Sequence, residues 1–258
     1  MLGLETSVDT KVGCQGCRSG EPLPFDFTMA FHPIVDLDRG VIWGYEALVR
    51  GTQGQSAWQI LSQVDDSRQY KFDQACRVKA IELAGRLFPK TEDRRLSINF
   101  MPNAVYEPAA CIRTSLETAR RVGFDTRRIM FEFTENERMA DTRHVARIIA
   151  EYKRLGFITA IDDFGAGHAG LNLLANFQTD LIKIDMEIIR GVGDSAPRQA
   201  IVAGILVMAR ALNIAIIAEG IETEAELATL RDAGITLFQG YLFAKPAIEN
   251  LPAVSLSA

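Results

Sequence analysis

From residue 96 onward the chain alternates short apolar runs with amphipathic helical stretches, and this alternation restricts the fold more than any other feature. The runs at 96–100, 128–134, 158–162, 181–185, 214–219 and 237–242 have strand length and are rich in β-branched or aromatic residues. Helical spacing fills 109–122, 138–155, 196–212 and 224–233 between them, and Gly156 ends the long amphipathic helix at 138–155. Ahead of the repeat, 28–36 and 41–49 read as strands joined through Asp38-Arg39-Gly40, a hairpin-turn signal, so the chain opens antiparallel. Two helices follow at 56–64 and 69–88, and the second is expected to bury Phe72, Ala75, Cys76, Lys79 and Leu83 along one face. Roughly eight strands with intervening helices fit an α/β fold, a modified (β/α)₈ TIM-like barrel with an antiparallel opening strand. An open doubly wound sheet is the alternative, because strand order is not written in the sequence.

The chain has 258 residues, 48% of them hydrophobic, which is enough for a sizeable core. Its net charge of −5 argues against a nucleic-acid polymer as partner, since phosphate backbones are met by clustered Lys and Arg. The first residues have neither a basic start nor a long apolar core, and the apolar stretch 201–218 is interrupted by Arg210 and Asn213. A cytoplasmic protein without a membrane span is expected. Residues 1–26 show no sustained periodicity and read as a flexible tail or linker, leaving 27–258 as the folded domain. Cys14 and Cys17 form the one C-x-x-C pair, a weak indication of zinc or redox chemistry without a second pair.

The strand at 158–162 stops at Asp162-Asp163, and a glycine-punctuated loop follows. Two adjacent acids at the end of a buried strand repel each other, and cations between them are the cheapest way to keep both ionised. Three other readings were open. The acids fit a strand end capping the next helix. Asp163-Phe164-Gly165 matches a kinase triplet, but none of the accompanying kinase motifs is present. Gly165, Gly167 and Gly170, with Asp185 beyond, mimic a dinucleotide fingerprint, yet carboxylates ahead of the loop would repel a pyrophosphate.

Position decides in favour of metal. Successive strands carry Glu46, Asn99, Glu132, Asp162 with Asp163, Lys183 with Asp185, Glu219 and Gln239 toward their ends. In a barrel those ends open onto one face, where the chemistry of this architecture sits. The donors are oxygens from Asp, Glu and Asn, which favours Mg²⁺ or Mn²⁺, and two neighbouring ions would clamp phosphoryl oxygens. A histidine base is a poor candidate with three histidines in the chain, His144 being expected on a helix surface. Lys183 is the better member of a proton network.

These residues, with Glu46-Ala47-Leu48-Val49-Arg50, Glu132-Phe133-Thr134-Glu135, Asp162-Asp163-Phe164-Gly165, Lys183-Ile184-Asp185, Glu219-Gly220-Ile221-Glu222 and Gln239-Gly240-Tyr241, resemble in order the motifs of EAL-domain cyclic di-GMP phosphodiesterases. The resemblance implies hydrolysis of cyclic di-GMP to linear pGpG with two Mg²⁺ or Mn²⁺ per site, and a homodimer. It implies metal binding by Glu46, Asn99, Glu132, Asp162 and Asp163, with Asp162 shared between the ions. Lys183 would position the attacking water and Glu219 would assist it. His32, Leu48, Arg50, Asp185 and Gln239 would contact or enclose substrate, and Glu135 would anchor the loop after Asp163. Two departures stand out: His32 replaces the usual Gln, and the loop reads Gly165-Ala166-Gly167-His168-Ala169-Gly170, with three hydroxyl groups lost. The alternative is a non-catalytic cyclic di-GMP receptor or a protein-docking module.

Overall fold

The computed structural model describes residues 23–135, 141–167 and 170–256. The expected tail with Cys14 and Cys17 lies outside them, apart from 23–26, as do His168 and Ala169 of the altered loop. Leu23 and Phe25 pack on the core, Phe25 with its ring 6.0 Å from that of Phe72.

Strands β1 (Thr28–Asp36) and β2 (Val41–Arg50) form the antiparallel opening. After β2, six strands run parallel to it: β3 (Arg95–Asn99), β4 (Ile129–Thr134), β5 (Ile158–Phe164), β6 (Leu181–Ile184), β7 (Ala215–Ala218) and β8 (Leu237–Gln239). β1 pairs antiparallel with both β2 and β8 and so closes the barrel, and the short β9 (Ala247–Ile248) also pairs with it. All nine residues of β1 are buried. Pro33 cannot donate to the ladder, and the β1–β2 register shifts between Ile34 and Val35, directly after it.

Two apolar bodies hold the barrel. The larger lies between its outer wall and the helices, with Phe31, Phe131, Phe133, Tyr152 and Phe157 among its rings. The smaller is a plug inside the barrel, made of Ile34, Met130, Ala160, Leu181, Ile217 and Leu237. It forms a floor that keeps the barrel a packed body rather than a pore.

The helix Gln69–Leu87 differs from expectation in the face it buries. Phe72 and Leu83 are inside, but Ala75, Cys76 and Lys79 are half-buried, and Asp73, Arg77, Ala80, Ile81 and Ala84 occupy the core side. The cause is a buried ion pair. Arg77 Nη2 lies 2.5 Å from Asp73 Oδ2, Arg77 Nη1 donates to Tyr152 Oη at 2.9 Å, and its guanidinium lies 5.4 Å from the ring centroids of both Phe100 and Phe131. Hydropathy counts both charges as surface, so the pattern points to a face turned away from the true one. The expected helix at 56–64 is confined to Ala57–Leu61, and 109–122 divides into Pro108–Cys111 and Arg113–Val122. Short helices at Gly170–Asn176 and Met186–Ile189 lack the length that gives a periodic signal. Among the described residues no helix is long and apolar enough to cross a membrane.

Candidate metal centre

The site stands one step above the barrel floor. Met130 leads to Glu132, Ala160 to Asp162, Leu181 to Lys183, Ile217 to Glu219 and Leu237 to Gln239, two residues on in each case. In β1, which runs the opposite way, the corresponding step goes back from Ile34 to His32. Alternate residues of a strand share a face, so one register sets both the apolar plug and the polar layer above it. The polar groups are therefore level across the barrel without all being terminal. Asn99 and Gln239 end their strands, Glu46, Glu132, Asp162 and Lys183 lie within theirs, and Asp185 and Glu219 lie just beyond.

Lys183 is fully buried at the centre. Its Nζ lies 2.7 Å from Glu219, 3.0 Å from Asp162, 3.2 Å from Glu132 and 3.6 Å from Glu46. Burial opposes the charge of Lys183, but Asp162, Glu132, Glu219 and Glu46 outweigh it and hold its pKa well above the ordinary lysine value. One cation does not balance four acids. Burial works against Glu46 too, yet Lys183, His32 and the Gln239 amide bring it down to about 2. Burial raises Glu132 well above the carboxylate range against the pull of Lys183, with Glu46 and Asp162 adding to the rise. Burial, then the Asp162 charge, does the same for Glu219.

Oxygen atoms of Glu46, Glu132 and Asp162 all lie within 4.8 Å of one another, and so do those of Asp162, Asp163 and Glu219. The two sets share Asp162, an arrangement suited to a pair of hard divalent ions. Asn99 Nδ2 ties the first set together, donating to Glu46 Oε1 at 3.1 Å and to Glu132 Oε1 at 3.0 Å.

Consecutive strand residues face opposite ways, so Asp162 and Asp163 could not both enter the site from a regular β5. The strand breaks its own rule there. Its register with β6 shifts between Ile161 and Phe164, and Asp163 takes the left-handed region at φ 52°. Burial, with Asp162 and Asp185 nearby, pushes the Asp163 carboxyl up to about 6.

His32, Leu48, Arg50, Asp185 and Gln239 line one cavity of about 400 Å³, which Asp163 and Glu219 also reach. A second cavity, about 670 Å³, joins Glu46, Asn99, Asp162 and Asp163 to apolar side chains such as Phe72. Gln239 Nε2 donates to Glu46 Oε2 at 2.7 Å and lies 2.8 Å from His32 Nδ1. Asp185 also caps the helix Met186–Ile189, accepting from Glu187 N at 2.8 Å, and Arg50 Nη1 donates to Val49 O at 2.7 Å. Glu135 Oε1 accepts from Gly165 N at 3.1 Å and from Gly167 N. Gly165 has φ 97°, and a Cβ there would strike Ile188. His144 stands apart from the site: it is half-buried, with Nε2 against Val105 O.

Two contributors escape the sequence reading, and a third, Tyr241, enters it only inside a motif and without a role. Ser97 Oγ donates to Glu132 Oε2 at 2.5 Å; its position two residues before Asn99 puts it on the same strand face and was the available signal. Asp73 Oδ1 accepts from Met101 N at 2.9 Å and fixes the segment behind Asn99. Tyr241 is half exposed at the rim of the smaller cavity, its ring 5.8 Å from that of His32.

A family model described as EAL domain matches residues 25–246. The chain is 36% identical over 227 residues to the blue light- and temperature-regulated antirepressor BluF of Escherichia coli, covering 88% of this chain and 56% of BluF. It is 30% identical over 232 residues to the cyclic di-GMP phosphodiesterase NbdA of Pseudomonas aeruginosa, covering 84% of this chain and 28% of NbdA. It thus spans about half or less of these curated relatives. Among solved structures, a standalone versatile EAL protein of Vibrio cholerae in its c-di-GMP bound form superposes with a TM-score of 0.88 at 53% identity, covering 92% of this chain and 98% of that one.

Proposed function

Because the chain belongs to the EAL-domain family, we propose that it hydrolyses cyclic di-GMP to linear pGpG in the cytoplasm, with two Mg²⁺ or Mn²⁺ ions. The observation that carries the reading is the ring of Glu46, Glu132, Asp162 and Glu219 around Lys183, with Asp163 turned in beside it. NbdA is named for this activity, and the Vibrio structure holds this ligand.

Glu46, Asn99, Glu132 and Asp162 would hold one ion, and Asp162, Asp163 and Glu219 the other. When bound, the ions supply charge neutralisation at the phosphodiester and acidify the attacking water. Lys183 and Glu219, 2.7 Å apart, orient that water in line with the bond to be broken, and Glu219 accepts its proton. A new P–O bond forms, one ester P–O bond breaks, and the departing sugar oxygen takes up a proton. Leu48, Arg50 and Asp185 enclose the nucleotide in the cavity beside the ring.

Purified protein should convert cyclic di-GMP to pGpG with Mg²⁺ or Mn²⁺, stop in EDTA, and lose more than about 100-fold in rate in Glu46→Ala. No conversion with either metal at neutral or mildly alkaline pH would sink the reading. BluF, named an antirepressor, favours a second one, a docking module that needs no turnover. Equal rates for wild type and Glu46→Ala at matched ligand binding would point there.

A further inference from the structure

The two sides of β3 end differently. Phe100 N donates to Glu132 O at 2.9 Å and so prolongs the pairing with β4, whereas the pairing with β2 stops at Ala47 and Ile98. Met101 is still extended, at φ −101° and ψ 106°, before the chain turns at Pro102. Successive N–H groups of a strand point to opposite neighbours, so Met101 N faces the β2 side. The acceptor it meets there is not a strand carbonyl but Asp73 Oδ1, 2.9 Å away. The helix Gln69–Leu87 thereby grips two consecutive residues. Arg77, fixed by Asp73 Oδ2 at 2.5 Å and donating to Tyr152 Oη at 2.9 Å, covers the Phe100 ring at 5.4 Å, and Asp73 takes Met101 N. The residue directly before them is Asn99, whose amide joins Glu46 to Glu132.

We propose that Asp73 is a positioning residue of the metal centre: its carboxylate replaces a strand carbonyl at the end of β3 and so sets the direction in which Asn99 enters the acid ring. This rests on the reading of Asn99 as a metal ligand. Asp73 stands outside the ligand set and acts through the backbone. Asn99 and Met101 are two residues apart on one wall of the larger cavity, so a shift of Met101 passes to Asn99 with little to absorb it. Ion affinity depends on the groups that hold the ligands as well as on the ligands themselves. The buried pair of Asp73 and Arg77 thus has two separable parts. The charge of Asp73 neutralises Arg77, and its second oxygen holds the metal centre in shape.

Paired substitutions separate the hydrogen-bond acceptor from the buried charge. Asp73→Asn with Arg77→Met keeps an acceptor for Met101 N, Asp73→Leu with Arg77→Met removes it, and neither leaves a charge unpaired. Urea unfolding first establishes that both are folded. Mn²⁺ titrations followed by electron paramagnetic resonance, without nucleotide, should then give wild-type affinity for the asparagine pair and binding weaker by about tenfold or more for the leucine pair. Adding the leucine pair to Asn99→Ala should cost nothing further, because both act through one ligand. Asp73→Asn alone should also bind like wild type, and it carries the test if the leucine pair does not fold. Wild-type affinity in the leucine pair, equal losses in the two pairs, a weakened Asp73→Asn, or losses that add in the Asn99→Ala background would each overturn the proposal. If wild type binds no Mn²⁺, the metal reading falls and takes the proposal with it. If wild type binds and Asn99→Ala matches it, the positioning role falls alone.

Discussion

Asp163 is the acid whose protonation bears most directly on loading the second ion. Its pKa, pushed up to about 6 by burial and by Asp162 and Asp185, means a proton occupies it below that pH and must leave before a cation enters. Binding of the second Mn²⁺, followed by electron paramagnetic resonance, should weaken about tenfold for each pH unit below 6. Burial also raises the Glu132 and Glu219 carboxyls, which adds to the dependence in the same direction. Constant affinity from mildly acid to neutral pH would contradict this. The doubled aspartate was plain in the sequence as two adjacent acids closing an apolar run, and the matching polar residues on the other strands favoured metal over a simple helix cap. What the sequence hid was how both reach one site, since the left-handed turn at Asp163 is a backbone event that no residue type announces; a glycine there would have.

The helix Gln69–Leu87 works through Asp73 and Arg77. Asp73 accepts from Met101 N, two residues past Asn99, and neutralises a guanidinium enclosed by Phe100, Phe131 and Tyr152. Asp73→Ala leaves that charge unpaired in the core and should destabilise the protein by about 3–5 kcal/mol, read by urea unfolding. The double variant Asp73→Leu, Arg77→Met should recover most of the loss. If the single variant unfolds like wild type, the pair is not what fixes this helix. At this scale the strands were readable as short runs of β-branched and aromatic residues set between helical stretches. The helix face was not: an i, i+4 acid–base pair looks the same on paper whether it is solvated or enclosed by aromatic rings.

At the scale of the whole molecule the helix Ala196–Leu212 presents an apolar outer face, with Ile201 51% and Val207 67% exposed and open space beside Gly204. A second copy of the chain covering that face would make the expected homodimer. Sedimentation velocity should find a dimer for wild type and a folded monomer for Ile201→Asp combined with Val207→Asp. An unchanged sedimentation coefficient in the double variant would place the dimer contact elsewhere. Barrel closure by an antiparallel strand was legible from the hairpin signal at Asp38-Arg39-Gly40, whereas the return of β9 onto β1 was not, since a two-residue strand has no period. That return has a mechanical consequence. Thr28 donates to Glu249 at 2.7 Å, and Ala30 and Phe31 pair with β9, so the start of the barrel is clamped to its end. His32 follows within about 13 Å of extended chain from Thr28. A pull on the chain at the start of β1 would therefore load the Thr28–Glu249 clamp and β9 together with the strand that carries His32.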